Sequence, residues 1–162
     1  MDTRSSLLAA LHRAYDGRSW HGPNLLGSIK GLTPEEVFFR PGRGRHTVYD
    51  LVLHAAYWKY VARRRLTGEK RGSFPVKGSN FFPEPRVKAA AAVLGARAVL
   101  EEAHRALVAA VEALPDEAFR EKRGPWTAEE TIAGVAAHDL YHAGQIQLVK
   151  KFYAERGTRH RS

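Results

Sequence analysis

Residues 86–114 read RVKAAAAVLGARAVLEEAHRALVAAVEAL and contain the clearest structural pattern in the chain. Within this stretch, apolar residues recur every seven positions, at Val93, Leu100, Leu107 and Leu114. Alanines fall between them at positions 96, 103 and 110. Alternating small and large residues along such a seam are typical of helices in a bundle. The pattern predicts a long helix that ends before Pro115.

Three further segments have helical periodicity, at residues 3–15, 47–66 and 128–154. The last begins with Thr127 and Glu130, a capping box in which each side chain bonds the other residue's backbone N–H. A short helix is expected at residues 34–39. These elements predict an all-α, up-and-down four-helix bundle, with one long crossing between the second and third long helices.

The predicted crossing, residues 67–85, contains GSFPVKGSNFFPEP. We expect it to be ordered over the bundle, because three phenylalanines, Phe74, Phe81 and Phe82, are unusual in a free linker. We therefore expect a single domain at residues 1–155, followed by a basic C-terminal tail at residues 156–162.

Composition narrows the class of protein. The 162 residues include no cysteine, which excludes disulfides, thiolate nucleophiles and cysteine-based zinc sites. A protein-bound metal must therefore use His, Asp or Glu. The N-terminus does not resemble a secretory signal, and no apolar run approaches the roughly 20 residues of a membrane span. A soluble cytoplasmic protein without a membrane partner is expected.

The formal net charge of +9 fits a nucleic-acid partner, an anionic substrate or solubility alone. The cations form short groups near predicted helix ends, including Arg63–Arg65 and Arg156, Arg159 and Arg161. Cations at helix C-termini complement the helix dipole. We expect solvated helix ends and no specific nucleic-acid partner, so duplex DNA should bind weakly and without sequence preference.

Among eight histidines, His138 and His142 lie four residues apart on the apolar face that carries Val135 and Ile146. A buried imidazole without a partner costs about 1–3 kcal/mol, so something must satisfy both rings. The spacing suits one metal ion with metal–nitrogen bonds of about 2.1 Å. The equal alternative is one buried, hydrogen-bonded histidine and one half-exposed histidine.

His54 favours the metal interpretation, because it lies on the second long helix at the edge of that helix's apolar stripe. Facing helices of a bundle present inward side chains to a common point. Three histidine ligands leave an open position, which is typical of catalytic sites. The five remaining histidines are weaker candidates, with His12 and His104 expected at the border of the core or outside it.

Five residues near the three histidines could contribute to the site. Asp50 either accepts the second N–H of His54 or is an acid favoured at a helix N-terminus. Gln145 either holds a ring or is a polar residue at the seam. Tyr57 and Tyr141 are expected to pack rather than line the site. Asp139, adjacent to His138, is expected on a neighbouring face.

Three segments together resemble the DinB/YfiT-like superfamily. They are HDLYHAGQIQLVKK at residues 138–151, RHTVYDLVLHAAYWKYVARRRLTG at 45–68 and WHGPNLLGSIKGLTPEEVFFRPGRGRHT at 20–47. The resemblance extends to about residue 155. It implies a four-helix bundle, frequently a homodimer, with a divalent metal ion, commonly nickel or zinc, on His54, His138 and His142.

Some members of that superfamily are transferases or isomerases that use bacillithiol, mycothiol or glutathione, whereas many have no known activity. The chain has Val48-Tyr49-Asp50 where many members have an Ile-Trp-Glu type of run, so the resemblance does not specify the substrate pocket. We therefore expect a metal-dependent enzyme, a thiol-dependent transferase or a hydrolase, acting on a small molecule. The alternatives are a non-catalytic metal-stabilised binding or stress-response module, and a nucleic-acid binder.

Overall fold

The computed structural model describes residues 2–156, which form six α-helices and one 3-10 helix and no β-strand. The helices are α1 Thr3–Tyr15, α2 Leu25–Ile29, α3 Pro34–Val37, α4 Val48–Thr67, α5 Ala90–Glu112 and α6 Ala128–Glu155, with the 3-10 helix at Asp116–Arg120. The protein is therefore all-α, as predicted. Apart from Arg156, the predicted basic tail, with Arg159, His160 and Arg161, lies outside the described residues.

Local sequence signals explain where most helices begin and end. Capping boxes at Thr33, Thr47 and Thr127 start α3, α4 and α6. Gly68 ends α4 with φ of 73°, a left-handed conformation that glycine adopts without steric cost. Helix α5, at Ala90–Glu112, is shorter than the predicted 86–114, and Ala89 at its start makes no side-chain cap.

The predicted seam of α5 is largely confirmed, since Leu100 and Leu107 are fully buried and Ala96 and Leu114 nearly so. Val93 is only half-buried. His104, which we expected at the border of the core, is 8 % exposed. A straight helix drifts relative to a heptad repeat. The buried stripe therefore includes His104, which follows the predicted seam position Ala103.

The long helices do not alternate strictly in direction along the chain, as the predicted up-and-down bundle would require. Val48 and Val52 of α4 share a cavity wall with Val93 and Ala96 of α5, so both helices start at the same end. Further along, Tyr60 and Arg63 share a wall with Ala103 and Ala106, so α4 and α5 run parallel. A chain segment as long as residues 68–89 can span a helix of roughly 30 Å and return to its start.

Helices α1 and α6 run the other way. Arg4, near the start of α1, donates to the carbonyl of Leu114 after α5, whereas Tyr15, at its end, stacks on His104. His54, early in α4, faces His142, and the later Lys59 pairs with Asp139, so α6 is antiparallel to α4.

The crossing between α4 and α5 is ordered against the helices, as predicted. Phe82 is buried, and Phe74 packs edge-on against Tyr57, which therefore packs as expected. Phe81 stacks on His54 with ring centroids 4.4 Å apart. Across residues 2–156, no helix combines the length and the apolar character needed to cross a membrane.

Candidate metal centre

The structure brings His54 of α4 together with His138 and His142 of α6. The Nε2 atom of His138 lies 3.1 Å from Nε2 of His54 and 2.9 Å from Nε2 of His142. One ring nitrogen of each residue lies within 4.8 Å of those of the other two. The three residues singled out in the sequence thus form one cluster between two helices.

The outer nitrogens of two rings are held by the chain. His54 Nδ1 lies 3.0 Å from the backbone carbonyl oxygen of Asn80, and His142 Nδ1 lies 2.6 Å from Gln145 Oε1. Both oxygens can only accept, so both Nδ1 atoms carry the proton. In a neutral ring the other nitrogen is then a lone pair. His54 and His142 therefore direct Nε2 lone pairs toward His138.

Burial keeps these rings neutral. It lowers the pKa of His138 to about 3, with further contributions from His142 and His54, and lowers the pKa of His142 to about 4. Burial also lowers the pKa of His54, against the hydrogen bond to Asn80. Neutral imidazole is the form that binds metal. At neutral pH the centre is ready to bind a cation without first losing protons.

Asn80 is a functional neighbour that sequence reasoning missed. Its backbone carbonyl accepts from His54, and its side-chain oxygen accepts from the indole N–H of Trp58 at 2.9 Å. Asn80 has φ of 63°, a conformation that Asn adopts more readily than most residues. The only sequence signal was an Asn inside a Gly- and Pro-rich crossing.

The predictions for the other neighbours of the site had different outcomes. Gln145 does hold a histidine ring. Within residues 2–156, Asp50 makes no hydrogen bond to His54; it accepts from the backbone N–H of Thr47 in the cap of α4 and pairs with Arg40, so the outer-shell interpretation was wrong. Tyr141 is exposed and only touches the edge of the His142 ring.

Asp139 lies on a different face of α6 from His138, as expected. Its side chain is fully buried and forms an ion pair with Lys59, which is fully buried as well. Burial raises the pKa of Asp139 and lowers that of Lys59, while the opposite charge of the partner counteracts both shifts. Helical periodicity placed Asp139 away from His138 correctly, but that neighbouring face packs against α4 and α1 rather than water.

The donor set fits a divalent transition metal. Imidazole nitrogens suit zinc, nickel, copper and iron, whereas calcium and magnesium require oxygen ligands. Nitrogen atoms on neighbouring vertices of one coordination sphere, each about 2.1 Å from the ion, lie roughly 3 Å apart. The separations of 3.1 and 2.9 Å agree with that spacing. Asn80 and Gln145 supply the outer hydrogen bonds that metal-ligating histidines commonly make.

A model of the DinB superfamily matches residues 19–146, a range that includes all three histidines. Neither a search of curated proteins nor a search of solved structures found a match to the chain.

Proposed function

The chain belongs to the DinB superfamily, and on that premise we propose that it is a metal-dependent enzyme. One divalent ion, nickel or zinc, is held by His54, His138 and His142. The observation that carries this proposal is the convergence of three Nε2 atoms while two outer nitrogens are tied to Asn80 and Gln145. A buried group of neutral imidazoles arranged in this way has the right donors for one cation.

Three protein ligands leave an open position, which distinguishes catalytic sites from closed structural ones. When bound, the ion supplies Lewis acidity, which activates a substrate oxygen, a thiol or water at neutral pH. The chain orients the rings through Asn80 and Gln145, and Phe81 covers His54 by stacking on it. A thiol-dependent transfer, with a low-molecular-weight thiol as co-substrate, or a hydrolysis of a small molecule fits these roles.

The packing of the four long helices supports the four-helix bundle that the superfamily resemblance implies. Helices α1, α4, α5 and α6 form a closed ring of neighbours, since α4 contacts α5 and α6, and α1 contacts both as well. We assign them to a four-helix bundle in which α4 and α5 run parallel. Helices α2 and α3 are short additions before α4.

A homodimer is part of the proposal. Tyr141, Leu148 and Phe152 leave apolar side chains exposed on α6, at 64, 51 and 40 %. Their spacings of seven and four residues place them on one helix face. A second copy of this helix would bury them. Light scattering should give twice the chain mass, and Leu148→Glu should reduce it.

The positive charge does not require a specific nucleic-acid partner. Several cations already pair with acids, as Arg40 does with Asp50 and Glu84 and Arg63 does with Glu69. We propose that the remaining charge solvates the surface. Duplex DNA should bind weakly and dissociate steeply as salt rises.

Metal analysis of the purified protein tests the central proposal. We expect close to one divalent ion per chain, removed by a chelator, and no ion in the His138→Ala/His142→Ala double variant. His12→Ala is the matched control, because His12 is largely exposed on α1 and pairs with Asp16. Full metal occupancy in the double variant would refute the ligand assignment.

A second measurement separates an enzyme from a metal-stabilised module. A cobalt- or nickel-substituted sample is titrated with a small thiol, and the same protein is screened with that thiol and an electrophile. An open site should give a changed ligand-field spectrum and thiol consumption that depends on the metal. A spectrum that no ligand changes would indicate a closed structural site.

A further inference from the structure

A cavity of about 510 Å³ lies beside the metal centre, between α4 and the first half of α6. Its wall runs along α4 from Trp58 to Arg65 and along α6 from His138 back to Glu130. Because the helices are antiparallel, His138 lies near one end and Arg65 near the other. Seven residues of α4 and eight of α6 separate these ends, which corresponds to roughly 10–12 Å.

Two buried polar atoms of this wall have no hydrogen-bond partner within residues 2–156. They are the hydroxyl oxygen of Thr131, a residue only 9 % exposed, and Nδ1 of His138. Buried polar groups in folded proteins are nearly always paired, and each unpaired one is costly. Six further buried side-chain atoms, among them Asp139 Oδ1, are also unpaired within residues 2–156, so the lining of the cavity, rather than these atoms, indicates which molecule it receives.

The rest of the wall indicates what kind of molecule fits. Trp58 and Trp126 contribute two indoles, and aliphatic side chains and a glycine contribute most of the remainder. Arg65 is the only cation of the lining, and across the described residues no carboxylate pairs with it. Glu130 also lines the cavity; its Oε2 oxygen accepts from the backbone N–H and hydroxyl of Thr127, so its charge is held in the cap of α6 rather than paired with Arg65.

We propose that this cavity binds an elongated apolar carboxylate, about 10 Å long and carrying an aromatic ring, as the substrate of the neighbouring centre. Its carboxylate pairs with Arg65, its ring lies against the indoles, and its other end reaches His138. The inference rests on the proposed function, because the end at His138 is where reaction would take place.

The chemistry of the wall favours this class over the low-molecular-weight thiols. Sugar- or peptide-based thiols carry many hydroxyl and amide groups, and an apolar wall would leave most of these unpaired. A single guanidinium matches one carboxylate through two parallel hydrogen bonds. The cavity is therefore assigned to the substrate rather than to a thiol partner.

Tryptophan fluorescence reports directly on this cavity. The chain has three tryptophans, and Trp20 is fully exposed, so Trp20→Phe leaves only the two that line the cavity. This variant is titrated with 5-phenylpentanoate and with the neutral 5-phenylpentan-1-ol. We expect saturable changes in emission, with the acid bound about tenfold more tightly than the alcohol.

Two further substitutions locate the binding. Arg65→Gln should weaken the acid about tenfold and leave the alcohol unchanged, whereas Arg64→Gln is the charge-matched control outside the lining. Gly134→Leu should abolish binding of both probes, because a Cβ there meets open space and the side chain fills the cavity. Gly95→Leu, also open but on α5 and outside the lining, is its control. Circular dichroism verifies the fold of each variant.

Equal affinities for acid and alcohol, equal effects of Arg65→Gln and Arg64→Gln, or binding that survives Gly134→Leu would each overturn the inference. The titration is repeated after chelation, where we expect the probes still to bind, since the chain supplies the contacts. A protein that binds the acid but no metal would refute the proposed function alone. A protein that binds metal but not the acid would refute only the present inference.

Discussion

Two neighbouring polar groups on α6, a buried carboxylate and a half-buried imidazole, face opposite kinds of partner. Asp139 pairs internally with Lys59, so a negative and a positive group compensate each other inside the core. His138, the preceding residue, faces the nitrogens of His54 and His142, which are also electron donors. Asp139 thus meets an opposite charge within the chain, although its Oδ1 oxygen has no hydrogen-bond partner among residues 2–156, whereas the facing imidazole nitrogens have the arrangement that the proposed cation would complete.

The difference helps to distinguish polar groups that stabilise the core from polar groups that are candidates for ligand binding. Tyr15 and His104 stack 3.6 Å apart near the Lys59–Asp139 pair, and Lys59 lies 5.0 Å above the Tyr15 ring. These contacts join α1, α4, α5 and α6. The histidine cluster instead uses tethers on its outer side, which leaves the inner nitrogens directed at one another. Breaking each group should therefore have different consequences.

The largest effect is expected from Asp139→Ala, which leaves the buried Lys59 without its partner. We expect a loss of about 3–5 kcal/mol in the free energy of unfolding, measured with urea. Replacing both partners, as Lys59→Met with Asp139→Leu, should be close to neutral, because no buried charge remains. A loss below about 1 kcal/mol for the single variant would show that the pair is not buried as described.

Metal removal should cost less and should leave the fold intact. An ion present at a hundred times its dissociation constant contributes about 2.7 kcal/mol. We expect the chelated protein to remain helical by circular dichroism and to melt cooperatively at a lower temperature, because the leucine seam of α5 does not depend on the ion. The His138→Ala/His142→Ala variant should not respond to chelator. Unfolding upon chelation would show that the fold depends on the ion, which would contradict the difference between the histidine cluster and the structural Lys59–Asp139 pair.

A smaller effect is expected at the tethers. Gln145→Met removes the acceptor that orients His142, and we expect metal affinity to fall about 10- to 100-fold while the stability of the metal-free protein hardly changes. Competition with a chromogenic chelator measures the affinity. Gln147→Met is the control, since within residues 2–156 Gln147 makes no hydrogen bond to a ligand histidine. Equal effects of both substitutions would exclude the tethering role.

The smallest effect concerns pH. Burial, with Lys59 and His12 nearby, lowers the pKa of His104 from 6.5 to about 3. Between these values the unfolded chain binds a proton that the folded chain excludes, so stability falls as pH falls. His104 should contribute about 1 kcal/mol of that loss between pH 6.5 and 5.5.

Urea titrations of the chelated protein at several pH values test this dependence. His104→Phe retains an aromatic ring against Tyr15 and should flatten the dependence, whereas the exposed His21→Gln should not. His138 and His142, with pKa values of about 3 and 4, should account for part of the remaining slope. An unchanged slope in His104→Phe would contradict the buried, neutral state of this ring.

The long helices and the identity of the clustered histidines could be predicted from local sequence patterns. Capping boxes and helical periodicity depend on residues three, four or seven apart, so Thr47, Thr127 and the leucines of α5 could be interpreted without the fold. The pair His138 and His142 was visible for the same reason. His54 was found because only one histidine lies in the middle of α4.

Which polar groups contact each other depends on how the helices pack. Lys59 and Asp139 are 80 residues apart and His54 and Asn80 are 26 apart, and no local pattern relates such positions. Periodicity gives the face on which a side chain lies, but the direction and rotation of the neighbouring helix decide what that face contacts. The parallel run of α4 and α5 and the burial of His104 follow from that packing, because burying apolar surface fixes helix positions and polar side chains must then find partners among their new neighbours.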